Sequence, residues 1–226
     1  MRTLRLLLAA LSVVGFMGAA SAAPAAPAPV PVEGQDYKLL TPAQPTEPGK
    51  KVEVIEFFAY YCPHCNALDR GLTEWARAQG DRIVFKHVHV SNNGEPMAQQ
   101  KLYYALESMG KAEQYQSVIF NAIHVQHHRF SEDNEIIDFA VKDLGMNRDK
   151  FTLLLNSFSV QSKVSHALQQ MHSYQIDTWP TLVIDGKYVT SPSIAGAGKD
   201  EIKAQPFLFK ALDGLVDMRF KERAKH

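Results

Sequence analysis

The sequence predicts an α/β fold with a mixed central sheet and an inserted all-helical domain. Three observations predict it. Residues 51–90 alternate strand, helix and strand patterns, the signature of a βαβ unit with parallel pairing. Residues 95–172 carry helical patterns only. Strand patterns then return as a pair joined by Asp185-Gly186, a strong hairpin signal, and a hairpin is antiparallel.

The elements follow in order. Met1, Arg2 and Arg5 make a basic start, an apolar run spans Leu6 to Met17, and Ala20-Ser21-Ala22 has the small residues a signal peptidase accepts. The run is short for a membrane span. Residues 1–22 therefore read as a cleaved signal peptide, and residues 23–33, rich in Ala and Pro, as a flexible, partly extended segment. Asp36–Leu40 reads as a short edge strand. Lys51–Tyr61, dense in Val, Ile and Phe, reads as a buried central strand. After Cys62-Pro63-His64-Cys65, apolar residues at Leu68, Leu72, Trp75 and Ala76 have helix spacing, closed by Gly80. Asp81–Val90 is a second strand by its β-branched alternation.

Residues 34–94 thus form the first part of a thioredoxin-like domain, 95–172 a helical insertion, and 173–220 the second part. Within the insertion, Gly110, Gly145 and a polar break near Arg129–Asn134 separate the helices. In the second part, Pro180–Ile184 and Lys187–Thr190 form the hairpin, Ser191-Pro192-Ser193 reads as a turn, and a last helix begins near Gly198 or Lys199, with Pro206 set to split or kink it. Residues 221–226 read as a polar tail.

Charge bounds the function. The 226 residues hold 24 Lys and Arg against 24 Asp and Glu. Removing the signal takes away Arg2 and Arg5 and leaves 22 basic residues against 24 acidic. Such a balance points away from nucleic acid as the main partner. No phosphate loop, zincin motif or nucleophile elbow is present.

The two cysteines, Cys62 and Cys65, carry the chemistry. Export to an oxidising compartment permits a disulfide, but a bridge across so small a loop is a poor staple. A Cys-x-x-Cys pair opening a helix is instead a redox centre: the free N–H groups and dipole of the helix end stabilise a thiolate on Cys62. Cys65 lies one turn deeper. Pro63 suits the first helical turn, and His64 adds a polar, sometimes cationic, group. Stabilising the reduced form makes the disulfide a stronger oxidant. Glu56 sits in an apolar strand, where a carboxylate needs a partner; it reads as a proton acceptor or donor near Cys65, with Lys86 on the next strand as its pair. Pro180 opens the hairpin. Its functional reading is a cis peptide facing the cysteines, against a trans base rate. Tyr61 reads as an exposed rim residue. Nine histidines raise the question of a metal, but His87 and His89 on one strand and His124, His127 and His128 in the helical block read as surface or helix-face residues, with no metal and no cofactor expected.

EFFAYYCPHC at 56–65 resembles the active-site segment of the DsbA family of periplasmic thiol:disulfide interchange proteins. WPTLVIDGKYV at 179–189 is similar to the family's cis-proline strand, and EGQDYKLL at 33–40 to its mature N-terminal segment. The resemblance implies that Cys62 is the exposed nucleophile and Cys65 its buried, resolving partner. Pro63 and His64 would tune the potential, Glu56 would be the buried acid, Lys86 its neighbouring base, and Pro180 the cis-proline. It also implies a periplasmic, monomeric oxidase of exported proteins, reoxidised by a DsbB-like, quinone-linked membrane partner. Trp179 departs from the small β-branched residue usual before the cis-proline, which bears on client range. Two alternatives share much of this sequence. A reductase or isomerase kept reduced by another partner would use the same pair. A non-catalytic chaperone or binding module would leave Cys62 buried and unreactive.

Overall fold

The computed structural model describes residues 30–95 and 97–225. The predicted signal peptide and residues 23–29 of the Ala/Pro-rich segment lie outside them.

Five strands, β1 (Lys38–Leu39), β2 (Val52–Phe58), β3 (Ile83–His89), β4 (Thr181–Ile184) and β5 (Tyr188–Thr190), form one sheet in the order β1-β5-β4-β2-β3. Only β2 and β3 pair in parallel; the other neighbours are antiparallel, so the sheet is mixed. All seven residues of β2 are buried, which is why the segment reads as a continuous apolar run rather than an alternation. Its two faces feed two cores. Val52 and Val54 join Leu182 and Ile184 beneath α1 (Pro63–Gln79) and α8 (Glu201–Arg223). Ile55 and Phe57 join Val183 and the helices of the insertion. Gly71 lets the α1–α8 layer close, since a Cβ there would stand 3.0 Å from the Phe209 ring.

The insertion comprises α2 (Ala98–Ser108), α3 (Ala112–His124), α4 (Asp133–Lys142), α5 (Arg148–Leu155) and α6 (Phe158–Ser173). Asn147 and Ser157 cap α5 and α6 through their side chains.

Several boundaries differ from the sequence reading. β2 stops at Phe58, and Ala59–Tyr61 leave the sheet to make the catalytic turn. Gly80–Arg82 form a 3₁₀ turn, so β3 starts at Ile83. Ser191-Pro192-Ser193 opens a one-turn helix, α7 (Pro192–Ala195), capped by Ser191. Pro206 does not split α8: it stands in the second turn, where its missing N–H removes a single bond of the ladder. Lys221–Arg223 are not a free tail. They complete α8, and Arg223 reaches the hairpin, where its guanidinium meets Asp185 Oδ1 at 2.5 Å. Asp185 (φ 54°) and Gly186 (φ 63°) supply the left-handed conformations that a tight two-residue turn requires.

Candidate active site

Cys62 caps α1. Its sulfur accepts from the Cys65 N–H at 3.4 Å, and Pro63 occupies the first helical turn. Both cysteines are present as free thiols. The Cys62 thiol is lowered from 9.0 to about 6. The hydrogen bond from the Cys65 side chain does most of this; the Cys65 and His64 backbone N–H groups and the His64 charge add to it, and burial opposes it. Cys65 moves the other way. Burial is the main cause, and the hydrogen bond to Cys62 and the charge on Glu56 push the same way, so Cys65 stays a neutral thiol.

Cys62 is less open than an exposed nucleophile. It keeps 5% of its surface, and its thiol donates to the Trp179 carbonyl at 3.6 Å. The Trp179–Pro180 bond is cis. The Trp179 indole meets the Tyr61 ring edge-on, with centroids 6.1 Å apart, so Tyr61 is half-buried rather than a free rim. Burial first, and then the neighbouring cysteines, raise the Tyr61 phenol. Beside them opens a groove of about 270 Å³, lined by His64, Trp179, Pro180, Pro192, Lys199 and Ala204. His64 and Pro63 are both exposed, and His64 lines the groove.

Glu56 is 2% exposed, and its partner is His87, with Nε2 3.1 Å from the carboxylate. The predicted Glu56–Lys86 pair does not form. Glu56 is in register with His87, and Lys86 with Ile55. Successive strand residues face opposite ways, so Lys86 lies on the other side of the sheet, where it bonds Glu53 at 2.6 Å. One residue escaped the sequence reading. Asp69 stands one helical turn beyond Cys65 on α1. Burial, and then the charge on Glu56, raise its carboxyl from 3.8 to about 6. An acid at i+4 from a buried cysteine, next to Leu68 on an apolar face, was the available signal. Glu56 thus bonds His87 and acts electrostatically on both Cys65 and Asp69.

Among the described residues, no group of three or more His, Cys, Asp and Glu side chains is placed to hold a metal ion. No described helix is long and apolar enough to cross a membrane.

A dithiol split into one stabilised thiolate and one neutral thiol, at a helix end on a thioredoxin-like sheet beside a cis-proline, defines a thiol:disulfide oxidoreductase. The family model described as a DSBA-like thioredoxin domain matches residues 53–204. The thiol:disulfide interchange protein DsbA of Burkholderia cepacia is 37% identical over 181 residues, which cover 80% of this chain and 85% of the relative. That of Bordetella pertussis is 36% identical over 162 residues, covering 72% and 77%. The crystal structure of Pseudomonas aeruginosa DsbA superposes with a TM-score of 0.71 at 28% identity, covering 85% of this chain and 94% of that one. The chain belongs to the DsbA family.

Proposed function

We propose that the protein is a periplasmic disulfide oxidase that transfers a Cys62–Cys65 disulfide to reduced exported proteins. The observation that carries this reading is the opposite displacement of the two thiols. Cys62, lowered to about 6, is a good leaving group, and a stabilised thiolate favours the reduced enzyme.

A client thiolate attacks the Cys62 sulfur of the oxidised pair. The new sulfur–sulfur bond forms as the Cys62–Cys65 bond breaks. The electron pair leaves on Cys65, which takes up a proton because its site disfavours the thiolate. A second client thiolate then attacks the client sulfur of the mixed disulfide and expels Cys62 as a thiolate. The client loses two electrons and gains a disulfide; the enzyme gains the two electrons. Glu56, whose charge acts on Cys65, is the group that would exchange the Cys65 proton, with His87 paired to it and Asp69 near it. The cis Trp179–Pro180 segment offers backbone to an extended client. A DsbB-like, quinone-linked membrane partner restores the disulfide. The basic start, apolar run and Ala20-Ser21-Ala22 support residence in the periplasm.

Equilibration of the mature protein with glutathione buffers tests the direction. A potential well above that of thioredoxin is expected. A value near thioredoxin's overturns the oxidase reading in favour of a reductase or isomerase kept reduced by another partner.

A further inference from the structure

Tyr60, two residues before Cys62, is fully buried. It lies in the turn where the chain has left β2 and has not yet entered α1, so neither the sheet nor the helix supplies its backbone partners. Buried peptide groups need partners. Two histidines provide them. The Tyr60 N–H donates to His89 Nε2 at 3.1 Å, and His124 Nε2 lies 2.8 Å from the Tyr60 carbonyl.

The tautomers follow. A ring nitrogen that receives an N–H carries no proton, so the neutral ring of His89 holds its proton on Nδ1, which lies 2.9 Å from the Val90 carbonyl. Complete burial lowers His89 from 6.5 to about 3, which keeps it in this accepting form. A carbonyl only accepts, so His124 presents an Nε2–H. The Tyr60 hydroxyl is tied as well, donating to Gln116 Oε1 at 3.1 Å. His89 belongs to the sheet, whereas Gln116 and His124 belong to α3 of the insertion.

We propose that His89 and His124 are positioning residues for the catalytic turn, gripping the two sides of Tyr60 so that the helical insertion sets where Cys62 sits on the end of α1. The lever is short. Cys62 N–H bonds to the Ala59 carbonyl at 3.1 Å, so the turn that holds Tyr60 is the turn that holds Cys62. A shift there moves the sulfur relative to the Cys65 and His64 N–H groups. The proposal holds whichever direction the cysteine pair works in.

The test compares His124→Ala, His124→Gln and His124→Asn in the full mature chain. Three properties are read: the thiolate absorbance of reduced Cys62 against pH, the equilibrium with glutathione, and thermal unfolding. Loss of one such hydrogen bond is expected to weaken thiolate stabilisation and the equilibrium with glutathione by about tenfold, about 30 mV, in His124→Ala. Gln carries an N–H on a side chain long enough to reach the carbonyl, and is expected to restore most of the loss. Asn carries the same group one carbon short, and is expected to behave like Ala. Should His124→Ala not fold, the Gln and Asn pair decides alone. The proposal is overturned if the variants unfold at lower temperature yet keep the wild-type thiolate titration and glutathione equilibrium, or if Gln restores no more than Asn. Either result makes His124 a structural contact only. A DsbA-like potential in the wild type with an unmoved His124 series would sink this proposal and leave the oxidase reading intact.

Discussion

Two buried carboxylate sites differ in how their charge is met. At the hairpin, the Asp185 side chain has no exposed surface and meets Arg219 at 2.7 Å and Arg223 at 2.5 Å. Burial alone would raise its carboxyl, but hydrogen bonds from Arg223 and Arg219 hold it below the ordinary value. Behind the cysteines, Asp69 has Glu56 for a neighbour, and its carboxyl is raised to about 6. The fold spends two arginines on the acid that ties the last helix to the hairpin. It leaves the acid next to the redox pair poised to titrate. The paired charge at the hairpin is structural, whereas a raised acid beside a redox pair has the perturbation expected of a chemical site.

The sharpest break in this contrast is Asp185→Ala, which strands two arginines. A loss of about 3 kcal/mol is expected in denaturant unfolding, with the glutathione equilibrium unchanged. If the potential moves instead, the two sites are coupled and the contrast fails.

The next test is the pH profile of stability, where the two sites carry opposite signs. Asp69 is raised in the fold, so its contribution is complete below pH 3.8 and is lost as pH climbs through about 6. Asp185 is lowered, so its contribution is present above 3.8 and lost as pH falls further. Asp69→Asn should therefore flatten the profile between pH 4 and 6 and leave the acid limb in place. At pH 7 it should be more stable than the wild type by on the order of 2 kcal/mol. A variant that keeps the wild-type slope would show that Asp69 is not the raised group.

Smaller effects concern the thiols. Reduced Cys62 should titrate near pH 6 by thiolate absorbance. His64→Leu should raise that midpoint by about half a unit, because the Cys65 hydrogen bond and the backbone N–H groups remain. A rise of several units would make His64, not the Cys65 hydrogen bond, the main stabiliser. Glu56→Gln should lower the Cys65 thiol, seen as a second thiolate phase at a lower pH than in the wild type. An unmoved second phase would remove Glu56 from the electrostatics of Cys65.

The fold was legible where local chemistry is strong. The apolar run of β2, the Asp185-Gly186 turn and the helix spacing after Cys65 each stand for one element. The cysteine pair was legible because its spacing and helix position have a direct redox meaning. Lys86 was misassigned because a one-residue difference in position changes the face of a strand, and register is a tertiary property. His89 and His124 were read as surface or helix-face residues. Their partner is the backbone of Tyr60, and nothing in a sequence marks a peptide group that will need one. The low exposure of Cys62 depends on Trp179, 117 positions away along the chain.

The sheet order has a consequence for how such a protein can change. β2 and β3 both run toward the cysteines, and β4 starts beside Phe57 at that same end. The chain therefore leaves for the insertion and returns from it next to the reacting sulfurs. Material spliced between β3 and β4 starts and ends beside the catalytic turn, and here α3 reaches it through Gln116 and His124. If the insertion sets Cys62 through His124 as proposed, changes within the helices would retune the redox pair while Cys62-Pro63-His64-Cys65 stays untouched, and this junction would serve as a dial for diversifying the enzyme.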